Sequence, residues 1–365
     1  MFQEPSGVWI MAYTTIDDPS AHFQAVIYTG NASSRSLTND GNSDLQPDLV
    51  WTKKRNEAQN HCVTDSTRGV GNILFPDGAD AESATQLLTS FDSDGFSINN
   101  NALVNDNTDT YVAWQWKANG GSRTTNTESG ANPGGGYQAN TTAGFSIVDY
   151  TGTGSAGTMA HGLGAVPECF IVKGRDGGAS WRMYHHKLAS DPETDAIKLD
   201  ETGTPLDSDG FWNDTAPTSS VFSLGDNDNT NEDGTTYIAY LWKEIQGYSK
   251  FGSYEGNNNA DGPFIYTGFK PAWVMVRNID AIKVWYIWDN ARDTFNQAHN
   301  SMQAQVDTNE FNDGTGATNH MDLLSNGFKL RAAGSSINPD AETLIYMAFA
   351  EQPFVTSGGV PCTAR

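Results

Sequence analysis

One apolar strand is spelled three times along the chain, as "DTYVAWQWKA" (109–118), "TTYIAYLWKE" (235–244) and "LIYMAFAEQ" (344–352). Each copy closes a long stretch rich in Gly and Asp. Runs such as "TYIAYLW" have almost no polar break, the pattern of a central strand of a sandwich. Other anchors recur in the same order. The units "QPDLVWTKKR" (46–55), "VPECFIVKGR" (166–175) and "KPAWVMVRN" (270–278) each place a Pro before an apolar run that ends in a basic residue. They are preceded by "FQAVIYTGN" (23–31), "FSIVDYTGTG" (145–154) and "KFGSYEGNN" (250–258). They are followed by "SDGFSI", "SVFSLG" and "SNGFKL". Pro47, Pro167 and Pro271 are 120 and 104 residues apart, while Tyr111, Tyr237 and Tyr346 are 126 and 109 apart.

That period is too long for solenoid or propeller units of about 20–50 residues. It suits one complete small sandwich of roughly seven or eight strands. The expectation is therefore an all-β protein of three tandem repeats, each a small jelly-roll-like β-sandwich. Repeat one spans 1–117 with a short extension at 1–10, since Met11 is an equally good start. Repeat two spans 143–246, repeat three 247–354, and 355–365 form a tail. Residues 118–142 are rich in Gly, Ser, Asn and Thr, which predicts a flexible linker. DG, NG, GN and GG pairs mark turns throughout. "DAESATQLLTSF" (80–91) is the best candidate for a turn or two of helix.

Charge narrows the partners. There are 44 Asp+Glu against 21 Lys+Arg, a net charge of −23. Such a surface repels nucleic-acid phosphates, which are bound by displacing counterions with Lys and Arg. It also repels anionic membranes. No apolar run reaches the roughly 18 residues of a membrane helix. Cys62, Cys169 and Cys362 form no CxxC pair and are too few for a disulfide framework.

Candidate chemistry is sparse, and no cofactor, metal or catalytic residue is expected. His161, His185 and His186 lack ligand-spaced partners. "DNDNTNEDGTTY" (226–237) has Asn231 and Tyr237 where a calcium loop wants Gly and Glu. Asp92 with Asp94, and Asp207 with Asp209, sit at "DSDGF" turns, where Asp serves as a local backbone acceptor. One feature is less ordinary. Asp65 and Arg68, and again Asp289 and Arg292, are three apart, with His185 at the matching place between them. This reads as a hydrogen-bonded corner ending a strand. The alternative is a ligand-binding site for a sugar or peptide formed by Trp285, Trp288, Asp289 and Arg292, with the two indoles as stacking platforms. What the three units share is apolar framework and turn chemistry, whereas the polar residues mostly differ. That pattern points to spacing, packing or adhesion, not to catalysis.

"MAYTTIDDPSAHFQAVIYTGN", "LLTSFDSDGFSI", "NTTAGFSIVDYTGTGSAGTMAHGLGAVPECFIVKGRD" and the closing "YMAFAEQPF" and "GVPCTAR" resemble uncharacterised triple-repeat β-rich virion proteins of tailed phages infecting marine bacteria. The likeness runs from Met11 to Arg365. It implies a non-enzymatic structural protein on the virion exterior, at the tail or capsid surface, folded in the host cytoplasm. A tail fibre or receptor-binding protein is the first expectation. A capsid decoration protein is the alternative, and a polysaccharide-degrading enzyme a distant third. The partners so implied are further copies of itself, a trimer being favoured by analogy, other virion proteins, and a host surface glycan or outer-membrane protein. Neither nucleic acid nor membrane insertion is expected.

Overall fold

Strands dominate because the chain alternates short apolar runs with Gly, Asn and Asp turns, and leaves no long amphipathic stretch for a helix. The computed structural model describes residues 2–3, 9–10, 12–312, 319–334 and 336–363. It is all-β, with 41% of residues in strands and 5% in helices. Among the described residues, no helix is long and apolar enough to cross a membrane. Met11 and most of the expected extension lie outside the described residues.

A two-stranded pair, β1 (Phe2–Gln3) and β2 (Trp9–Ile10), precedes the first third. That third contains β3 (Phe23–Thr29), β4 (Arg35–Leu37), β5 (Leu49–Lys54), β6 (Cys62–Asp65), β7 (Leu88–Phe91), β8 (Phe96–Ile98), the helical turn α1 (Ala102–Asn105) and β9 (Thr110–Trp116). Its larger sheet has the order β3-β9-β5-β6, and its smaller sheet β4-β8-β7.

After β10 (Thr124–Asn126) and β11 (Gly135–Asn140), the middle third runs through β12 (Phe145–Thr151), β13 (Gly157–Ala160), β14 (Cys169–Gly174), β15 (Arg182–His185), β16 (Asp195–Lys198) and β17 (Leu206–Asp207). Helical turn α2 (Asp209–Trp212), β18 (Val221–Leu224), α3 (Asp228–Asn231) and β19 (Thr236–Trp242) complete it. Its sheets are β10-β11-β12-β19-β14-β15-β16-β17 and β13-β18.

The last third contains β20 (Ser249–Glu255), β21 (Phe264–Tyr266), β22 (Phe269–Asn278), β23 (Trp285–Asp289), β24 (Asn300–Gln303), β25 (Phe311–Asn312), β26 (Met321–Leu324), β27 (Gly327–Leu330) and β28 (Thr343–Pro353). Its sheets are β20-β28-β22-β23-β24-β25 and β21-β27-β26. In every larger sheet the opening strand of the third pairs with its closing strand, which pairs in turn with the Pro-led strand.

Period-two geometry then sends alternate residues to opposite faces. Ala113 of β9 joins a core with Leu37, Phe96 and Ile98 of the smaller sheet. Ala239 and Leu241 of β19 join Met159, Phe222 and Leu224 in the same way. The intervening Val112, Trp114 and Trp116, and Ile238, Tyr240 and Trp242, face a second core that they share with most of β22 and β28. Two buried faces explain the unbroken apolar runs. The sequence argument placed one interior within each third; the largest interior lies between them. At its centre the Trp116 ring lies 6.3 Å from Trp242, 5.8 Å from Trp273 and 5.6 Å from Phe349. Each such aromatic buries on the order of 150–250 Å².

A buried asparagine fixes the entry to each closing strand. Asn105 accepts from Asn31 N (3.0 Å) and donates to Ser33 O (2.8 Å) and Asn99 O (2.9 Å). Asn231 binds Thr153 N, Ser155 O and Gly225 O likewise, and Asn338 binds Asn257 N, Asn259 O and Ala332 O. The carbonyl just before each accepts from a tyrosine hydroxyl, of Tyr28, Tyr150 and Tyr254 respectively. Here the chains approach so closely that a Cβ on Gly30, Gly152 or Gly256 would lie 1.9, 2.2 or 1.9 Å from the carbonyl oxygen after the asparagine. Only glycine fits.

Three local expectations change. Residues 118–142 are ordered, with β10 and β11 extending the sheet of the middle third. The chain at 80–91 is extended: Ser83 bridges to Ile73, and Leu87 and Leu88 are both buried. Tyr346 is not the counterpart of Tyr111 and Tyr237. Those two face Lys54 and Gly174, whereas Leu344 faces Asn278 and Tyr346 lies two residues further along.

Candidate functional site

Trp285, Trp288 and Asp289 lie on β23, and Arg292 follows one turn later. All four are buried: the first three are 0% exposed and Arg292 7%. The indoles are therefore not displayed platforms, which corrects the sugar- or peptide-stacking expectation. Both are packed among the aliphatic and aromatic side chains of the largest core. Trp288 stacks on Tyr286 at 5.6 Å.

The corner itself forms as expected. Asp289 accepts from Arg292 N (2.9 Å) and Nε (2.6 Å), and the guanidinium also donates to Ile287 O (3.0 Å). The partners across the molecule are what sequence reasoning missed. Trp114 Nε1 of the first third donates to Asp289 at 2.9 Å. Glu310 accepts from Arg292 (3.1 Å) and takes a two-pronged contact from Arg55 at 2.9 and 3.0 Å.

A parallel set joins the first and middle thirds. Asp65 accepts from Arg68 N and Nε, and Tyr240 OH donates to it at 2.7 Å. Glu82 then links Arg68 (2.9 Å) to Arg175 (2.9 and 2.7 Å). At the seam between the middle and last thirds, His185 Nε2 bonds Tyr346 O at 3.1 Å. Three more contacts tie the thirds together, each from β5–β6, β14–β15 or β22–β23. His61 Nε2 bonds Gln303 O, Trp181 Nε1 donates to Phe75 O, and Trp285 Nε1 donates to Lys198 O. Beside them Lys53 reaches Asp307 O, Lys173 reaches Ala79 O and Arg277 reaches Gly203 O.

Electrostatics follow from burial. Desolvation alone would lower Arg68 and Arg292, but the adjoining carboxylates outweigh it and hold both above the ordinary guanidinium range. Desolvation pushes Glu82 upward, yet the hydrogen bonds from Arg175 and Arg68 leave it lowered. Lys53 and Lys173 bond mainly to carbonyls, and burial lowers each to about 8. Burial also lowers His185 to about 3 and raises Asp77 to about 7. Perturbed groups can mark an active site, but structural ion-pair networks perturb them equally. Here every one of these groups lies at a seam.

Several clefts open at the surface, and two of them flank the last third. One, of about 280 Å³, lies between the first and last thirds and is lined by Gln24, Ala25, Asp40, Asn42, Asn290 and Glu351. The other, of about 660 Å³, lies between the middle and last thirds, beside Glu168, His186, Glu244 and Phe251. Their glutamates are held in place: Glu351 by Lys270 (2.8 Å) and Asn290 (2.7 Å), Glu244 by Lys250 (2.6 Å), and Glu168 by Glu244 N (2.6 Å). Among the described residues, no group of three His, Cys, Asp or Glu is placed to hold a metal ion.

Fold and seams together define an all-β protein whose buried polar chemistry braces one part of the chain against another. The model of a domain of unknown function, DUF7483, matches residues 18–353, and the chain belongs to that family. No curated protein and no solved structure matches it significantly.

Proposed function

We propose that the three thirds are tandem copies of one small β-sandwich, closed into a ring, and that the protein is a non-enzymatic structural component of a phage virion exterior. The observation that carries this reading is the cyclic set of seam contacts. The cation of each Pro-led strand caps a carbonyl of a different third: Lys53 to the last, Lys173 to the first, Arg277 to the middle. The acceptor or donor at 65, 185 and 289 meets Tyr240, Tyr346 and Trp114, of the middle, last and first thirds, in the opposite rotation. Such a body is rigid and approximately three-fold, and its interior is spent on holding shape.

Within that role, the first reading is a tail-fibre or receptor-binding protein touching a host glycan or outer-membrane protein. Several weak contacts on one rigid body gain by avidity, up to about 10²–10⁴-fold. The closed ring favours a compact head over a string of jointed domains. It equally supports the second reading, a decoration protein seated on a three-fold position of the shell. One chain would then supply the three-fold that the resemblance assigns to three chains.

Gold-labelled antibody on intact particles separates the readings. Label at the tail tip, with purified protein blocking adsorption, supports attachment; label over the whole shell supports decoration. Particles carrying no label would overturn both.

A further inference from the structure

The opening strands β3, β12 and β20 hold the same place in their sheets, each with its closing strand on one side. Their other sides differ. The lane beside β12 is filled by β11, with Gln138 opposite Ile147. Gln138 is 1% exposed. It reaches across the seam to Ser66 Oγ (2.7 Å) and Thr67 Oγ1 (2.6 Å) and accepts from Gly121 N (3.0 Å). The lane beside β20 is plugged: His186 Nε2 bonds Phe251 O at 2.9 Å, and Ser249 N donates to Ile245 O.

Among the described residues, the lane beside β3 is open. His22 O and Gly30 N bond Lys117 and Asp109 around the closing strand β9, so the odd-numbered residues between them aim their N–H and C=O outward. Thr29 O is capped by the Arg35 guanidinium. Among the described residues, nothing bonds the outward backbone groups of Ala25 or Ile27. The strand "FQAVIYT" has no charge, Pro or Gly to guard it, and the Ile27 side chain is 45% exposed. Unguarded edges of this kind template pairing with another strand. The lane runs into the 280 Å³ cleft, where Asn290 follows Asp289 just as Ser66 follows Asp65.

We propose that β3 accepts an extended segment of a partner protein as an added antiparallel strand, the mode in which main-chain bonds give affinity and side-chain pockets give specificity. The β11 strand "GGYQAN" (135–140) is the pattern for it: small and amide residues without carboxylates. Asp40 and Glu351 at the cleft select against an acidic occupant. A second copy of this chain, itself carrying −23, is disfavoured by repulsion. The inference rests on strand order and hydrogen bonding, not on a place in a virion.

The test uses the full chain and a fluorescent peptide with the sequence of residues 133–142. Saturable one-to-one binding is expected, with amide exchange slowed at Ala25 and Ile27. Ile27→Pro removes an outward donor and no internal bond, a position where edge strands tolerate proline. It should weaken the peptide at least tenfold while leaving circular dichroism unchanged. Exchange protection in wild-type protein decides the matter should that variant fold poorly. Absence of peptide binding, or protection at Ile147 instead, overturns the proposal. So does unchanged affinity in a folded Ile27→Pro protein. A wild-type dimer that Ile27→Pro dissolves assigns the lane to a second copy and overturns it too.

Discussion

Asp289→Ala tests whether the seams hold the fold together. The carboxylate is fully buried and accepts three bonds, two from Arg292 and one from Trp114. Removing one partner of a buried ion pair costs about 3–5 kcal/mol, because the other charge stays behind. Glu310 still faces Arg292 at 3.1 Å, which places this part near the lower end, about 3 kcal/mol. The Trp114 N–H loses its acceptor for about 1 kcal/mol more. The expected loss is therefore about 4 kcal/mol, read from urea unfolding at pH 7 with fluorescence and circular dichroism transitions required to coincide. Adding Arg292→Met removes the stranded charge, so the double variant should be more stable than Asp289→Ala alone. A loss under about 1 kcal/mol, or a double variant less stable than the single, would refute the reasoning.

Two further outcomes are expected. A chain ending at Gln246 should fail to give a cooperative unfolding transition, because Trp116 and Trp242 lose the cover of Trp273 and Phe349; a cooperative melt from it would show that the thirds are independent. Stability should fall on acidification from pH 6.5 to 5. His61 and His185 are lowered, chiefly by burial, His185 to about 3. The unfolded chain thus binds protons that the fold refuses, and the stability present above about pH 6.5 is lost as pH drops, at up to about 1.4 kcal/mol per unit for each histidine. Asp77, raised to about 7 by burial, acts oppositely and offsets about one of them. His185 by itself accounts for about 2 kcal/mol over that interval, so His185→Gln should be less pH-sensitive than the parent by about that amount in urea titrations at the two pH values.

Short-range features were legible because their physics is local. The Asp–Arg corner needs only four residues, the turns only Gly, Asn and Asp, and the central strands only a run such as "YVAWQW". What crossed the molecule was not. Trp114 and Asp289 are 175 positions apart, as are Asp65 and Tyr240, and no spacing rule reaches that far. Composition misled at 118–142, since glycine-rich chain is flexible only where no edge strand waits to pair with it; β12 was waiting. Trp285 and Trp288 looked available because an aromatic in a thin-cored protein has two possible uses, and the sequence does not say which sheet face turns inward.

At the seams, position 185 carries an imidazole where 65 and 289 carry carboxylates. A ring built from identical chains would have to accept any such change at all of its joints simultaneously. In the ring proposed above, joints written into a single polypeptide can be edited individually, so one can harden, another can take an inserted strand, and a third, as proposed for β3, can receive a visitor.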